Sequence, residues 1–212
     1  MDAAFWDDRY GSRDRLFSGN PNGVLVTELT DLKPGQALDV GCGEGGDALW
    51  LARRGWQVTA VDISRTALER AAAEAASDAD VAGRIAWTRA DLTAAPPPAG
   101  SFDLVSVQYF PLPRQPDHIA LRALLDSVAP GGTLLFAGHD LADMSRHHGH
   151  EGDEANPIHG FDPSAYYQPA EVARLLGEGW TILINETRPR TAPAPEGTHH
   201  VHDTVLRAQR LR

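Results

Sequence analysis

Cysteine and lysine are almost missing from this 212-residue chain. The single cysteine, Cys42, cannot form an internal disulfide. Of 19 basic residues only Lys33 is a lysine, in the turn-like Leu32-Lys33-Pro34-Gly35, so Schiff-base, P-loop and Tyr-Lys dyad chemistry have almost nothing to work with. Long apolar runs are also lacking: none approaches the ~20 residues of a membrane-spanning helix. The acidic opening from Met1 to Asp8 has neither the basic nor the apolar region of a signal peptide. Positive charge is short as well, 19 basic against 29 acidic residues for a net charge of -10, which repels phosphate backbones and anionic membranes. The expectation is a soluble, cytoplasmic protein with no nucleic-acid or membrane partner.

The length suits one domain, 1–212, with room for a sizeable core. Short β-rich runs alternate with helical stretches from about Gln36 to Gly138, the pattern of a parallel sheet in an α/β fold. The runs are Ala37–Val40, Gln57–Val61, Ile85–Thr88, Phe102–Val107 and Thr133–Ala137. Helices are expected over Gly46–Arg54, over Ser64–Ala76 with Ser64 as N-cap, and over Ile119–Val128, closed by Pro130-Gly131-Gly132. Beyond Gly138 comes a polar stretch, a helix over Pro169–Leu176, then strands Trp180–Thr187 and His200–Arg207 around a Pro-rich loop. Two strands joined without a helix predict an antiparallel hairpin.

Leu38-Asp39-Val40-Gly41-Cys42-Gly43-Glu44-Gly45-Gly46 ends a strand in glycines and opens a helix. Missing side chains let a ligand approach the backbone, and the helix N-terminus offers free N–H groups. Gly41-x-Gly43-x-x-Gly46 fits a dinucleotide loop, with Asp62 placed 21 residues beyond Gly41, after the next strand, to accept from ribose hydroxyls. A nicotinamide-dependent oxidoreductase therefore stays open, although no Tyr-x-x-x-Lys accompanies the loop.

The same residues spell Asp39-x-Gly41-x-Gly43-x-Gly45. With Asp62, then Ala90-Asp91-Leu92, and Gln108-Tyr109-Phe110 after the fourth strand, the chain resembles the class I S-adenosylmethionine-dependent methyltransferases over about Leu38 to Phe136. The resemblance implies a Rossmann-like α/β fold: a seven-stranded, mostly parallel sheet, an antiparallel C-terminal strand, and helices on both faces. It implies S-adenosyl-L-methionine as cofactor, with Asp39, Gly41, Cys42, Gly43 and Gly45 around its methionine and ribose portion. Asp62 and Ile63 would meet the ribose, Asp91 and Leu92 the adenine, and Gln108 would lie beside the donor. Cys42 reads as a packing residue that the cofactor covers.

Phe5-Trp6-Asp7-Asp8-Arg9-Tyr10 followed by Ser18-Gly19-Asn20-Pro21-Asn22 resembles the opening of the tellurite-resistance and thiopurine methyltransferase branch. That resemblance makes residues 1–23 a lid, with Tyr10 and Arg9 toward the cofactor carboxylate. Residues 36–138 would be the cofactor-binding core, and 139–212 the acceptor-side loop, helix and hairpin. The acceptor is expected at the carboxyl ends of strands four and five, where Tyr109 and His139 are the catalytic candidates. His139 is the better base, because imidazole titrates near neutrality. No Asn-Pro-Pro-Tyr motif follows strand four, which favours a small-molecule methyl acceptor. The clusters His147-His148-Gly149-His150 and His199-His200-Val201-His202 lack the companions of a standard metal site, so no metal is expected. A non-enzymatic His-rich metal-binding protein on this fold is the second alternative; on a strand, His200 and His202 would share a face.

Overall fold

The computed structural model describes residues 1–81, 83–145, 162–191 and 200–211. It contains the expected sheet of seven strands: β1 (Gln36–Val40), β2 (Gln57–Asp62), β3 (Ile85–Arg89), β4 (Phe102–Gln108), β5 (Val128–His139), β6 (Trp180–Pro189) and β7 (His202–Arg210), in the order β3-β2-β1-β4-β5-β7-β6. β1 to β5 pair in parallel, and β7 runs antiparallel to both of its neighbours. β6 thus points the same way as β1 to β5, and its carboxyl end lies on the edge of the sheet where theirs lie.

Central strands covered on both faces need apolar residues at nearly every position; in β1 all but Gln36 are buried. Leu25, Leu49, Leu51 and Trp56 build the core on one face, and Leu121, Leu124, Phe136 and Val172 the core on the other. Helices α1 (Ala3–Gly11), α2 (Gly23–Glu28), α3 (Gly46–Arg53), α4 (Arg65–Ala76), α5 (Ile119–Ser127), α6 (Leu141–Ser145) and α7 (Pro169–Leu175) surround the sheet. Ser64 caps α4 as expected, its hydroxyl accepting from Ala67 N at 3.2 Å. No helix among the described residues is long and apolar enough to cross a membrane.

Three details differ from the pattern read along the chain. Pro130-Gly131-Gly132 falls inside the β5 span instead of after a helix, and the β4–β5 register shifts there, between Phe102 and Leu104. The short helices α2 and α6 were not foreseen, because six and five residues carry too little periodicity to read. β7 starts at His202, so His200 lies outside it and the expected shared face of His200 and His202 does not exist. The His200 ring stacks on His139 at 4.0 Å, while His202 Nδ1 lies 3.1 Å from Asp143 Oδ2. His147, His148, His150, His159 and His199 lie outside the described residues.

Candidate active site

Strand order reverses between β1 and β4, which opens a crevice beyond their carboxyl ends. A cavity of about 490 Å³ fills it, within the size range of small-molecule sites. Its floor is the loop after β1, where Gly41, Gly43 and Gly45 all have positive φ. At Gly43 (φ +51) a Cβ would stand 2.8 Å from the Tyr10 hydroxyl, so the close approach of Tyr10 requires glycine. Gly41 N and Cys42 N donate to Val61 O, and Asp62 accepts from Gly43 N at 2.9 Å and from Ser64 N at 2.8 Å. Each carboxylate oxygen accepts more than one hydrogen bond, so Asp62 keeps capacity for a ligand.

Four carboxyl groups line this end of the cavity: Asp39, Glu44, Asp47 and Asp62. Burial raises the Asp39 carboxyl well above its usual range, and Asp47 and Asp62 add to the effect. Asp39 Oδ2 is buried and has no hydrogen-bond partner, a costly state unless a ligand supplies a donor. Burial pushes Asp47 up to about 6, although Asn22 opposes this by donating its backbone and side-chain N–H groups at 2.7 and 2.8 Å. Asp62 is raised by burial too, against the pull of the Ser64 and Gly43 N–H bonds. Burial likewise raises the Cys42 thiol, so it is no nucleophile.

The N-terminal segment closes over this end. Asp7 on α1 accepts from Ser64 Oγ and Thr66 N at the start of α4. Glu44 accepts from Leu16 N, Phe17 N and Arg70 Nη1. The 18–22 strap crosses so near Gly46 that a Cβ there would meet Asn20 O at 2.8 Å. Tyr10 is buried, while Arg9 lies outside the cavity lining.

At the opposite end, Tyr109 follows β4 with φ 54, and its hydroxyl donates to Asp203 Oδ1 at 2.8 Å. Burial and the Asp203 carboxylate raise the phenol above its ordinary range, so it stays protonated. The Tyr109 ring stacks on His139 at 4.5 Å. His139 does not line the main cavity; it lines a neighbouring one of about 70 Å³ that shares Tyr109, Phe110 and Pro111 as a wall. Burial, with His200 and Arg190 beside it, lowers the imidazole to about 3. The expected titration near neutrality is therefore corrected: a ring held neutral by its surroundings is too weak a base to keep a proton at pH 7.

The structure brings Tyr10, Asp39, Gly41, Cys42, Gly43, Asp62, Ile63, Gln108 and Tyr109 together on the main cavity. Gly45 lies behind the loop as N-cap of α3. Asp91 is exposed and turned to its own Thr93, Leu92 is in the core, and neither lines the cavity. Sequence reasoning missed Asp47, Glu44, Asp203 and Arg190. Asp47 one residue into a glycine-led helix was a readable signal; Arg190 and Asp203 carried none, since only the hairpin brings them here. Asp140, Asp143 and His202 place one potential ligand atom each within 4.8 Å of one another. Asp143 there already accepts from Val201 N and His202 N.

Comparison with known proteins matches these features. A family described as "Methyltransferase domain" covers residues 37–132, the span of the glycine loop and Asp62. An uncharacterised methyltransferase of Mycobacterium tuberculosis is 41% identical over 111 residues, 52% of this chain and 54% of the relative. The ubiquinone biosynthesis O-methyltransferase of Xanthomonas campestris is 33% identical over 134 residues, 62% of this chain and 55% of that protein. The chain thus spans about half the length of these curated relatives. Among solved structures, one described for conversion of a disulfide bond into a thioacetal group during echinomycin biosynthesis has a TM-score of 0.72 at 25% identity, covering 99% of this chain and 90% of the other. The N-methyltransferase NodS of Bradyrhizobium japonicum in complex with S-adenosyl-L-homocysteine has the same fold, with a TM-score of 0.61 at 19% identity over 100% of this chain and 90% of that one. The glycine floor, the unpartnered Asp39 oxygen and the carboxylate cluster fit a cationic nucleoside donor, and they fall within or beside the stretch, residues 37–132, that matches the methyltransferase-domain family.

Proposed function

We propose that this protein transfers a methyl group from S-adenosylmethionine to a small-molecule nucleophile. The observation that carries the reading is the polarity of the 490 Å³ cavity: glycine backbone and four carboxyl groups at one end, the Tyr109–Phe110–Pro111 wall at the other. When bound, S-adenosylmethionine supplies a methyl group on a cationic sulfur, already activated for in-line attack. Asp39, Asp62 and the Gly41–Gly45 loop hold the donor, and Gln108 lies between the two halves. The adenine contact expected of Asp91 and Leu92 has no counterpart in the cavity lining. Residues 1–23 act as the lid that excludes water, the role implied by their likeness to the tellurite-resistance and thiopurine branch. Residues 36–138 form the donor core, and 139–212 complete the acceptor side.

Tyr109 contacts the acceptor, and His139 is a positioning residue that supports the Tyr109 ring from behind. With Tyr109 held protonated and His139 held neutral, neither of these two described residues is a strong base. The acceptor accordingly enters as a thiolate or another nucleophile that loses its proton readily, and orientation supplies most of the rate. The sulfur chemistry in the description of the echinomycin neighbour supports this choice. The net charge of -10 disfavours nucleic acid as acceptor and accords with a cytoplasmic small-molecule enzyme.

The test is calorimetric titration with S-adenosylmethionine, S-adenosylhomocysteine and NAD, followed by labelled methyl transfer to a panel of thiols, phenols and amines. Binding of the first two ligands and label in a thiol or another easily ionised acceptor is expected. Tight NAD binding with no response to either adenosyl ligand would restore the oxidoreductase.

A further inference from the structure

We infer that Arg190 is a recognition residue for a carboxylate on the methyl acceptor, so that the substrates of this site are organic acids; this rests on the methyltransferase reading above. Arg190 is the one cationic residue among the described lining of the main cavity. It stands just past Pro189, the end of β6, and faces a cavity whose four carboxyl groups all come from β1, the glycine loop, α3 and β2. The cavity therefore has an acidic donor end and a guanidinium at the acceptor end. Unlike charges a few ångströms apart attract more strongly in a partly dehydrated site than in bulk water, which sorts acceptors by charge.

The hydrogen bonding of the guanidinium leaves it available. Its side chain is 11% exposed, and Nη1 donates to Asp203 Oδ1 at 3.1 Å and lies 3.4 Å from His139 Nδ1. Nε is buried with no hydrogen-bond partner. Nη2 is neither bonded nor among the buried unpartnered atoms, so it is the donor open to a carboxylate. Asp203 divides its charge between Arg190 and the Tyr109 hydroxyl, so it neutralises the guanidinium only in part. Arg190 also lies over the Tyr109 ring, 5.3 Å from its centroid, which orients the guanidinium plane against the apolar wall shared by the two cavities. A carboxylate held this way is a poor nucleophile, because its charge is spent on the guanidinium. It serves as the anchor, while a different atom of the acceptor receives the methyl group.

The test uses the full chain saturated with S-adenosylhomocysteine. Benzoate, phenylacetate and hexanoate are titrated against their primary amides, in the wild type and in the Arg190→Gln and Arg190→Lys variants. At least one acid should bind tenfold or more tightly than its amide. The preference should fall to within twofold in Arg190→Gln and return in part in Arg190→Lys, with S-adenosylhomocysteine affinity held within about threefold. Equal binding of every acid and its amide by the wild type overturns the inference without any variant, as does a preference that survives in Arg190→Gln. A tenfold loss of S-adenosylhomocysteine affinity in Arg190→Gln overturns it too, by assigning the guanidinium to the donor's carboxylate. A wild type that binds no S-adenosylhomocysteine sinks the methyltransferase reading and this inference together; one that binds it but ignores carboxylates sinks only the inference.

Discussion

Acidification should weaken donor binding while stabilising the empty protein, and Asp47 is the group that separates these two effects. Its carboxyl is raised from 3.8 to about 6 by burial. A cationic donor favours the ionised form, so the apparent dissociation constant scales as one plus the protonated-to-ionised ratio. That factor is close to 1 at pH 7, about 2 at pH 6 and about 11 at pH 5, a loss of about 1.4 kcal/mol over the range. Stability has the opposite sign. A carboxyl with a raised folded pKa contributes stability that is complete below the unfolded value and lost as pH rises through the folded one. Going from pH 7 to pH 5 should thus add about 1 kcal/mol to the empty protein from this group. Calorimetric titration with S-adenosylmethionine between pH 5 and 7, beside thermal melts without ligand, measures both. In Asp47→Asn, which keeps a side chain able to bond Asn22, both dependences should flatten. Constant affinity from pH 7 to 5, or an unaltered slope in Asp47→Asn, would refute the reasoning.

Asp62→Ala should weaken S-adenosylmethionine binding by about 1–3 kcal/mol, the usual loss for charge-assisted hydrogen bonds; calorimetry at pH 7.5 reads it, and an unchanged affinity would remove Asp62 from the donor site. Gly46→Ala places a Cβ 2.8 Å from Asn20 O and 3.0 Å from Gly19 O. The strap must shift, at a cost of roughly 1–3 kcal/mol, and protease cleavage within residues 12–22 should speed up while the sheet still melts as one unit. In His139→Ala, donor affinity should stay within about twofold, a change of about 0.4 kcal/mol. The pH–rate profile should keep its shape, because the imidazole is already neutral throughout the assay range, and KM for the acceptor should rise as Tyr109 loses its stacking partner. Loss of an inflection near pH 6 to 7 in that variant would return the base role to His139.

Much of the glycine-and-carboxylate end of the cavity was legible in the chain because its determinants are local. Asp39 to Gly46 is one continuous turn whose glycines are required by backbone geometry, and Asp62 ends a strand that the β-rich run Gln57-Val58-Thr59-Ala60-Val61 announces by itself. The alternation of strands and helices before Gly138 likewise implied the parallel sheet, since each element carries its own periodicity. The Tyr109 end of the cavity was not legible in the same way. His139 read as a near-neutral imidazole at a loop edge, and its actual state follows from His200, Arg190 and burial, none of which is local to it.

Residue order alone determined which segments are strands and helices, where the backbone must turn without side chains, and which carboxylates accompany that turn. Tertiary structure decided which groups share a cavity and in which protonation state. Because β7 inserts between β5 and β6, the carboxyl end of β6 with Arg190 and the amino end of β7 with Asp203 arrive on the same edge as Tyr109, 94 residues from Asp203 in the chain. Burial set the rest: a carboxyl or imidazole titrates according to the water and charge around it, and those come from chain partners far away in sequence.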